Sequence, residues 1–496
     1  MMTAPHPIRT RADLHGRQAL VLGLARSGVA AARFLSDAGA VVTAYDRRGG
    51  DALADTARSL GERPIELALG VSEAVARELI EAADLLVTSP SISPRFPTTE
   101  PWLRDALHLA EERGVELVSE VELFLRLTEA RVLAVTGTKG KTTTTALLGE
   151  ILSAAAIPHV VGGNIGEPLV ERSAELDAGT WAVLELSELQ LPTISRGADV
   201  AVYTNILADH LDRHGSLEAY RAVKARLAEL TLERGGAVVL DADDPGCREL
   251  GARLSGELHW YGLEPGDGAR PLDATEAGGE LVLLGASLLA VPEVPLPGAH
   301  MRRDVLAAAL GARLAGATPA AIAHGIRGFR GVPHRLETIA ERNGVRWIND
   351  SQATIPAAAI AALEAFAPAP VVLIAGGQGK GLDYAAFADA VATYSRMAIL
   401  IGETAGELER LIGGRIPVRR AAAMDGAVEL AAQVAEPGDV VVLSPAAASF
   451  DMFTDYAARG DAYREAVRRL AKTTPGGTNR PIRSWSRSSV WWPRAW

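Results

Sequence analysis

At 496 residues the chain is long enough for two or three domains, each with its own core. Its composition, 48% hydrophobic and 22% charged with 49 glycines, is typical of a soluble α/β enzyme and excludes a largely disordered chain. The formal net charge of -11 disfavours a dedicated nucleic-acid binder, because it repels a phosphate backbone. We therefore expect small-molecule partners and no nucleic acid.

A single cysteine, Cys247, excludes an intrachain disulfide and a multi-cysteine metal site. No motif surrounds it, so we interpret it as a loop thiol rather than a nucleophile. The N-terminal sequence lacks the apolar core of a signal peptide, and no apolar run is long enough to cross a bilayer. We expect a cytoplasmic, monomeric protein with no membrane contact.

The first elements along the chain form a β-α-β pattern of the Rossmann type. "QALVLG" is a strand that ends in the turn "GLARSG", "VAAARFLSDAG" is helical, and "AVVTAYD" is the second strand. The turn keeps Gly23 and Gly28 of a dinucleotide fingerprint but has Ala25 between them, where a methyl group hinders approach to a pyrophosphate. On this motif alone, a nicotinamide oxidoreductase and a turn without a ligand both stay open.

The strand "RVLAVTG" begins a second nucleotide-binding unit, because it leads directly into the helical run "KTTTTALLGEILSAAAI". The junction "GTKGKT" keeps half of a P-loop but lacks the usual first glycine. Gly137 and Gly140 allow backbone N–H groups to face an anion at the helix start, Lys141 adds a cation, and Thr142 offers a hydroxyl to Mg²⁺. A purely structural turn is the less favoured alternative. Lys139 is either a second phosphate contact or a solvated charge.

The strands "WAVLEL", "DVAVYTNI" and "AVVLDA" follow, separated by helices, and predict a parallel sheet covered on both faces. Glu185 ends the first of them. A polar cluster follows the second and contains Asp209, His210, Asp212, Arg213 and His214. Because the carboxyl ends of parallel strands meet at one edge, a Mg²⁺ site there is the favoured interpretation. A commonplace strand-end acid and a polar turn are the alternatives.

Lys224 lies on the apolar face of the helix predicted for "SLEAYRAVKARLAEL", together with Leu217, Tyr220 and Leu227. Such a lysine usually extends its tip to solvent. A lysine directed inward near a metal is the alternative, and chemical modification would neutralise it.

A third α/β unit begins after "GFRGVPHR", with strands "VRWIND", "PVVLIAGG", "MAILIG" and "DVVVLSP". The short, turn-rich pieces between Gly251 and Pro297 suit an excursion of the middle unit. We predict an α/β protein of three domains: a Rossmann-like N-terminal domain (1–127), a central P-loop-type nucleotide-binding domain with a parallel sheet (128–331), which the family resemblance given below implies to be an ATPase domain, and a Rossmann-like C-terminal domain (332–474). The tail 475–496 has no helical or strand period, and we expect it to be disordered.

A series of motifs occurs in one order over these domains: "GTKGKTT", "GGNIG", "LELSELQL", "DHLDRHGSLEAYRAVK", "PHRLE", "NDSQAT", "GGQGKGLDY" and "SPAAASFDMF". In this order and spacing the chain resembles the Mur ligases, and among them the branch that adds D-glutamate to UDP-N-acetylmuramoyl-L-alanine. The resemblance covers nearly everything but the ends. It implies that ATP phosphorylates the substrate carboxylate and that the amine of D-glutamate attacks the acyl phosphate.

The resemblance also assigns residues in the central domain. Those expected at the ATP phosphates are Gly137, Thr138, Lys139, Gly140, Lys141, Thr142 and Thr143. Thr142 and Glu185 would hold one Mg²⁺, and His210 with a carbamylated Lys224 would hold a second. The implied catalytic residues are Lys141, Glu185, His210 and Lys224.

Substrate residues follow from the same resemblance. The UDP-linked substrate would contact the "TSPSIS" loop and Ser27, Asp46, Arg47, Asn164 and Ser187. ATP's ribose and phosphates would contact Arg335 and Asp350. The D-glutamate pocket would contain Thr354, Lys380, Ser449 and Phe450. Without the resemblance, a solvated loop charge is the better interpretation of Lys380.

Several positions depart from the family pattern. Gln352 stands where the family usually has lysine, and Met301 and Asp304 stand where it usually has asparagines near the adenine. Ser91 replaces a usual glycine, and the "LELSELQL" motif has Glu188 and Leu189 in place of the usual Ser-Phe. A sister ligase that adds L-glutamate or another amino acid, and a regulatory protein that has lost catalysis through the Gln352 change, are the alternatives.

Overall fold

A computed structural model of the chain describes residues 8–207, 214, 216–263, 271–295, 298–329, 331–379, 382–473 and 479–480. The chain divides into two compact units, one of Met1–Val294 with Ala299–Gly328 and one of Pro295–Gly298 with Phe329–Trp496. Two β-sheets belong to the first unit and one to the second. The predicted three-part α/β architecture is confirmed, while its boundaries at 127, 331 and 474 stay predictions.

The first sheet has five parallel strands in the order β3-β2-β1-β4-β5. These are β1 (Gln18–Leu22), β2 (Val41–Asp46), β3 (Ile65–Leu69), β4 (Leu85–Thr88) and β5 (Glu116–Ser119). The helices between and after them are α1 (Arg26–Asp37), α2 (Ala54–Ser59), α3 (Glu73–Ala82), α4 (Pro101–Glu112) and α5 (Glu120–Leu127). The predicted Rossmann-like start is therefore present.

The second sheet has nine strands in the order β14-β13-β12-β11-β10-β9-β6-β8-β7. They are β6 (Arg131–Thr136), β7 (His159–Gly163), β8 (Trp181–Glu185), β9 (Val200–Tyr203), β10 (Ala237–Asp241), β11 (Glu257–Gly262), β12 (Ala274–Ala277), β13 (Glu280–Leu283) and β14 (Ala286–Ala290). Strands β6 to β12 pair in parallel, as predicted, and β13 and β14 add an antiparallel edge. The turn-rich stretch after residue 251 thus extends the central sheet.

Helices that belong to the second sheet are α6 (Lys141–Ala154), α7 (Leu217–Glu233), α8 (Pro245–Arg253), α9 (Ala299–Leu314) and α10 (Pro319–Gly328). Short 3₁₀ helices of the first unit lie at Arg11–Leu14, Gly50–Leu53, Val170–Glu175, Leu191–Thr193 and Val291–Glu293.

The interpretation of Cys247 as a loop thiol is wrong in its location: the residue is fully buried in the first turn of α8. Burial raises its pKa well above the usual range, which opposes a nucleophilic role.

The third sheet has seven strands in the order β19-β18-β17-β20-β16-β15-β21. They are β15 (Glu337–Arg342), β16 (Val345–Asn349), β17 (Val371–Gly376), β18 (Ser395–Ile401), β19 (Val418–Arg420), β20 (Val440–Leu443) and β21 (Asn479–Arg480). Its helices are α11 (Pro356–Phe366), α12 (Ala385–Tyr394), α13 (Ala405–Ile412), α14 (Met424–Val434) and α15 (Tyr456–Thr473). Strand β21, which is part of the tail, pairs with β15; 475–478 and 481–496 lie outside the described residues, so the expected disorder of the tail stays a prediction.

The two sheets of the first unit share one apolar core. Its buried members include Val21 and Phe124 from the first sheet region and Leu184 and Tyr203 from the second. Polar bonds cross the same junction, as where the Val170 N–H donates to the Glu120 carboxylate at 3.0 Å. In the part of the chain that the structure describes, no helix is both long and apolar enough to cross a membrane.

Candidate active site

The "GTKGKT" loop connects β6 to α6, as predicted. Gly137 (φ +146°) and Gly140 (φ +84°) adopt backbone conformations that side-chain-bearing residues rarely take, and a Cβ on Gly137 would lie 2.0 Å from Thr204 Oγ1. Lys141 begins α6, and its Nζ donates to the carbonyl oxygens of Gly137 and Thr138, each at 3.0 Å. Thr142 follows in the first helical turn. The loop therefore combines a helix N-terminus, a lysine and a hydroxyl, which together suit a bound phosphate.

The other expected loop residues divide by exposure. Thr138 is buried, and its hydroxyl lies 2.9 Å from the hydroxyl of Tyr220. Thr143 is also buried in α6, whereas the Lys139 side chain is exposed. The backbone of Lys139 is held by Asn205, a residue that the sequence analysis did not single out.

Glu185 ends β8 beside the phosphate loop, because β8 pairs with β6 and Val135 is its register partner. The side chain is 1% exposed. Its Oε1 accepts a 2.7 Å hydrogen bond from Asn164 Nδ2, while its Oε2 has no hydrogen-bond partner among the described residues. A buried carboxylate oxygen without a donor is the type of ligand that a divalent cation prefers.

Lys224 is completely buried on α7, so the interpretation in which its tip reaches solvent is wrong. The helix brings Nζ to the base of the phosphate loop, where it donates to Thr136 Oγ1 and to the Gly137 carbonyl oxygen, both at 3.1 Å. The Tyr220 ring lies 5.6 Å from the same nitrogen. The structure thus places Lys224 beside the loop.

The polar cluster after β9 is described only at its end. His210, Asp209, Asp212 and Arg213 lie outside the described residues, so His210 stays a predicted metal ligand. His214 packs edge-on against Tyr220 and Phe96, with ring centroids 5.3 and 5.8 Å apart. Phe96 follows β4, so this contact joins the two sheets of the first unit.

The predicted uridine site lies at the carboxyl edge of the first sheet, where Asp46 ends β2. Both its oxygens accept from the Arg48 guanidinium at 2.9 Å, and Oδ2 also accepts from the Leu24 N–H at 2.9 Å. Burial alone would raise the pKa of Asp46, but these bonds outweigh it and lower the pKa to about 2. Arg47 is exposed and pairs with Glu100 at 3.0 Å. Sequence reasoning missed the pairing of Arg48 with Asp46.

Neighbouring loops complete this region. Ser27 lies partly buried in the first turn of α1. A Cβ on Gly23 would stand 3.1 Å from Ser89 Cβ, which brings the "GLARSG" turn and the "TSPSIS" loop together. Arg26 Nη1 donates to the Gly166 carbonyl oxygen at 2.6 Å and connects α1 to the "GGNIG" loop.

Two further substrate positions are both near β8. Asn164 follows β7 and donates to Glu185 through its side chain. Ser187 is buried just after β8, and its N–H and hydroxyl both donate to Gln190 Oε1. The fold therefore brings Asn164 and Glu185 into contact, with Ser187 two residues farther along the chain.

Asp304 lies on α9 against the phosphate loop. The residue is 7% exposed, and its Oδ1 would stand 2.3 Å from a Cβ on Gly140. Met301 is 8% exposed one turn earlier on the same helix. The departure from asparagine at position 304 therefore introduces a carboxylate next to the loop.

In the second unit, Asp350 follows β16 and accepts from Ser444 Oγ at 2.8 Å and from the Leu336 N–H at 3.1 Å. Burial raises the pKa of Asp350 to about 7, even though these hydrogen bonds and the charge of Arg335 act in the opposite direction. Thr354 is partly buried, and Gln352 is exposed. The predicted ATP residues Arg335 and Asp350 are thus close enough for electrostatic interaction.

The predicted glutamate residues are only partly described. Ser449 is buried and Phe450 is 67% exposed after β20, whereas Lys380 lies outside the described residues. Arg459 of α15 donates to Ser351 Oγ and O and to the carbonyl oxygens of Ala447 and Ala448, just before Ser449 in the chain, at 2.9 to 3.1 Å. Sequence reasoning missed Arg459, although it shares one helical stripe with the buried Tyr463.

Comparisons with known proteins agree with this geometry. A model of the Mur ligase middle domain matches residues 135–312, and one described as "Mur ligase, glutamate ligase domain" matches residues 334–447. A UDP-N-acetylmuramoylalanine--D-glutamate ligase of Solibacter usitatus is 41% identical over 463 residues, which are 92% of this chain and 99% of that protein. A protein of the same name from Symbiobacterium thermophilum is 39% identical and covers 92% and 98%.

Among solved structures, the UDP-N-acetylmuramate-alanine ligase of Thermotoga maritima is similar in fold. Its TM-score is 0.56 at 19% identity, and the match covers 92% of this chain and all of that one (100%). Likeness at this identity supports the fold alone. The identity to relatives over nearly their whole length shows the family: the chain belongs to the Mur ligases, in the family of the UDP-N-acetylmuramoylalanine--D-glutamate ligases.

Proposed function

We propose that the protein is an ATP-dependent ligase that joins D-glutamate to UDP-N-acetylmuramoyl-L-alanine in peptidoglycan precursor synthesis. The observation that carries this proposal is the phosphate loop between β6 and α6, with the buried Glu185 at the end of the neighbouring strand. The names of the full-length relatives identify the acceptor and the amino acid. The proposal includes a cytoplasmic, monomeric protein that acts on small molecules without nucleic acid or membrane.

The reaction needs activation of a carboxylate, because oxide is a poor leaving group in acyl transfer. A carboxylate oxygen of the acceptor attacks the γ-phosphorus of ATP, ADP leaves, and an acyl phosphate forms. The amine of D-glutamate then attacks the acyl carbon, phosphate leaves, and the amine loses its proton. Lys141 and the amino end of α6 stabilise the charge that develops on the transferred phosphoryl group.

The residues present fit a Mg²⁺ ion. Glu185 Oε2 is buried without a hydrogen-bond partner in the described part of the chain, and Thr142 supplies a hydroxyl in the first turn of α6. Bound Mg²⁺ would neutralise phosphate charge during transfer. In this proposal Thr142 and Glu185 hold one ion, and His210 with a carbamylated Lys224 holds a second.

The substrate residues divide between the units. Ser27, Asp46, Arg47, Asn164 and Ser187 contact the UDP-linked acceptor in this proposal. Arg335 and Asp350 contact ATP, and the D-glutamate residues are Thr354, Lys380, Ser449 and Phe450. Because Arg48 already binds both oxygens of Asp46, we assign Asp46 to fixing the "GLARSG" turn through Leu24 as well as to the ligand.

Product formation with each glutamate enantiomer tests the proposal. The protein is incubated with ATP, Mg²⁺ and UDP-N-acetylmuramoyl-L-alanine, and both ADP and the amide product are measured. We expect stoichiometric ADP and amide with D-glutamate only. Equal rates with L-glutamate would instead favour a sister ligase, and ATP binding without any amide product would favour a regulatory protein. A fluorescence change with NAD(P)H that needs no Mg²⁺ would favour the oxidoreductase.

A further inference from the structure

Asn205, just after β9, contacts the phosphate loop through its side chain. Its Oδ1 accepts from the Lys139 N–H at 2.9 Å, and its Nδ2 donates to the Lys139 carbonyl oxygen at 3.0 Å. One carboxamide thus binds both polar backbone groups of a single loop residue. This arrangement also fixes the orientation of the amide, because only oxygen can accept and only nitrogen can donate.

The backbone around Asn205 reinforces the contact. Its carbonyl oxygen accepts from the Thr138 N–H at 3.0 Å, and Thr204 Oγ1 donates to the Lys139 carbonyl oxygen at 2.5 Å. Gly137 allows this approach, since a Cβ there would lie 3.1 Å from the backbone N and O of Asn205. The segment after β9 therefore packs directly on the loop.

The same segment is anchored on its other side. Oδ1 of Asp244, a residue that is 4% exposed, accepts both the Ile206 N–H at 2.9 Å and the Cys247 N–H at 2.8 Å. A Cβ on Gly246 would stand 2.3 Å from the Ile206 carbonyl oxygen, so α8 packs closely against this backbone. The backbone next to Asn205 is therefore held by Asp244 and α8. A residue that orients its neighbours must itself be held in this way.

We propose that Asn205 is a positioning residue for ATP, which holds the Lys139 backbone so that the phosphate loop has its binding conformation before the nucleotide arrives. A loop held in advance does not lose conformational freedom on binding, so its nucleotide affinity is higher. The inference rests on the proposed role of the loop in binding ATP phosphates. It assigns to Asn205 no contact with the reacting atoms.

Steady-state kinetics of the full-length Asn205→Ala and Asn205→Asp variants test this role. Loss of two neutral hydrogen bonds should raise the KM for ATP about tenfold in Asn205→Ala and leave the KM values for the acceptor and D-glutamate within about twofold. Asn205→Asp keeps an acceptor for the Lys139 N–H but places an oxygen against the Lys139 carbonyl oxygen. We expect the KM for ATP to rise further in that variant.

Two controls make the result specific. Gln433→Glu adds one negative charge, as Asn205→Asp does, but at an exposed position of α14, and it should change none of the three KM values. Thermal unfolding with and without ATP separates affinity from folding: a variant with weakened ATP binding shows a smaller ATP-induced rise in Tm, whatever its own Tm. A KM for ATP within twofold of wild type, or an equal rise of all three KM values, overturns the inference.

Lys141→Ala separates this inference from the proposed function. If Lys141→Ala weakens ATP binding and Asn205→Ala does not, the positioning role alone is wrong. If neither variant changes ATP binding, the assignment of the loop to phosphate is wrong as well.

Discussion

Lys141 and Lys224 donate to the same acceptor, the carbonyl oxygen of Gly137, at 3.0 and 3.1 Å. One lysine begins α6 and the other is fully buried on α7. Two ammonium groups this close repel each other, and burial strengthens the repulsion. Carbamylation of Lys224 would replace one of the two positive charges by a negative one and turn the repulsion into attraction.

If carbamylated Lys224 holds a second Mg²⁺, as proposed, its replacement by alanine removes an oxygen ligand and should lower kcat about 100-fold or more. Added bicarbonate or a short carboxylic acid should restore part of the rate by entering the space that the side chain leaves. Lys224→Met, which fills that space, should be equally slow and show no rescue. Wild-type rates in Lys224→Ala would refute the metal-ligand role.

Glu185→Gln tests the other metal position. The amide oxygen can still accept from Asn164, so the fold should be kept, but the negative charge is gone. We expect kcat to fall about 100-fold and the Mg²⁺ concentration for half-maximal rate to rise. Glu233→Gln, at the exposed end of α7, is the matched control and should behave as wild type. Unchanged Mg²⁺ dependence in Glu185→Gln contradicts the assignment.

Asp304→Asn should strengthen ATP binding. The Asp304 carboxylate lies against Gly140, and its charge opposes the approach of phosphate groups to the loop. Removal of that charge at nearly constant shape should lower the KM for ATP about threefold or more. The exposed Asp105→Asn on α4 controls for the general change in net charge. An increased KM would show instead that Asp304 contributes to nucleotide binding through its charge.

Glu120 should make the melting temperature depend on pH. Burial raises its pKa from 4.5 to about 7, although the Val170 and Leu169 N–H groups donate to it. The fold thus favours the protonated form, so the stability contributed by this group is complete below the unfolded-state pKa and falls as pH rises towards 7. Glu120→Gln should lose this pH dependence. Between pH 4.5 and 8, its free energy of unfolding should rise relative to that of wild type by up to about 3 kcal/mol.

Melting temperatures of both proteins across this range measure the effect, with the exposed Glu112→Gln as control. A constant difference between wild type and Glu120→Gln at every pH would show that Glu120 titrates normally.

Arg459 should stabilise the second unit. It is 1% exposed, burial lowers its pKa to about 10, and it satisfies carbonyl oxygens of Ser351, Ala447 and Ala448. Arg459→Met removes the guanidinium donor from all three oxygens, of which only that of Ala448 keeps another donor among the described residues, the Gln378 N–H at 2.9 Å, and it should cost about 2–4 kcal/mol. Arg459→Lys should recover part of the lost stability, since lysine restores a hydrogen-bond donor but not the planar guanidinium that reaches several acceptors at once. Calorimetry measures both, and Arg468→Met on the exposed face of α15 should have no effect.

The local patterns of the sequence were sufficient for the strands at the centre of each sheet and for the loop at Gly137 to Thr142. The strands predicted in this way are β1, β2, β6, β8, β9, β10, β16, β17, β18 and β20. Apolar residues repeated every 2 or 3.6 positions, and glycines at turns, reflect interactions between residues that are close in the sequence. Strands, helices and tight loops form from such local interactions, so these patterns predict them. Glu185 could be placed in the same way, because a parallel strand ends at a known edge of its sheet.

Only the tertiary structure shows what Lys224, Asn205 and Arg459 contact. A polar residue on an apolar stripe has the same pattern whether its tip reaches solvent or a buried acceptor. The acceptor of Lys224 on Thr136 lies 88 residues away along the chain, and that of Arg459 on Ser351 lies 108 residues away. Asn205 meets the phosphate loop because β9 lies next to β6, a pairing that no local pattern contains. Hydrogen bonds between distant segments depend on which strands become neighbours, and that is settled by packing of the whole unit.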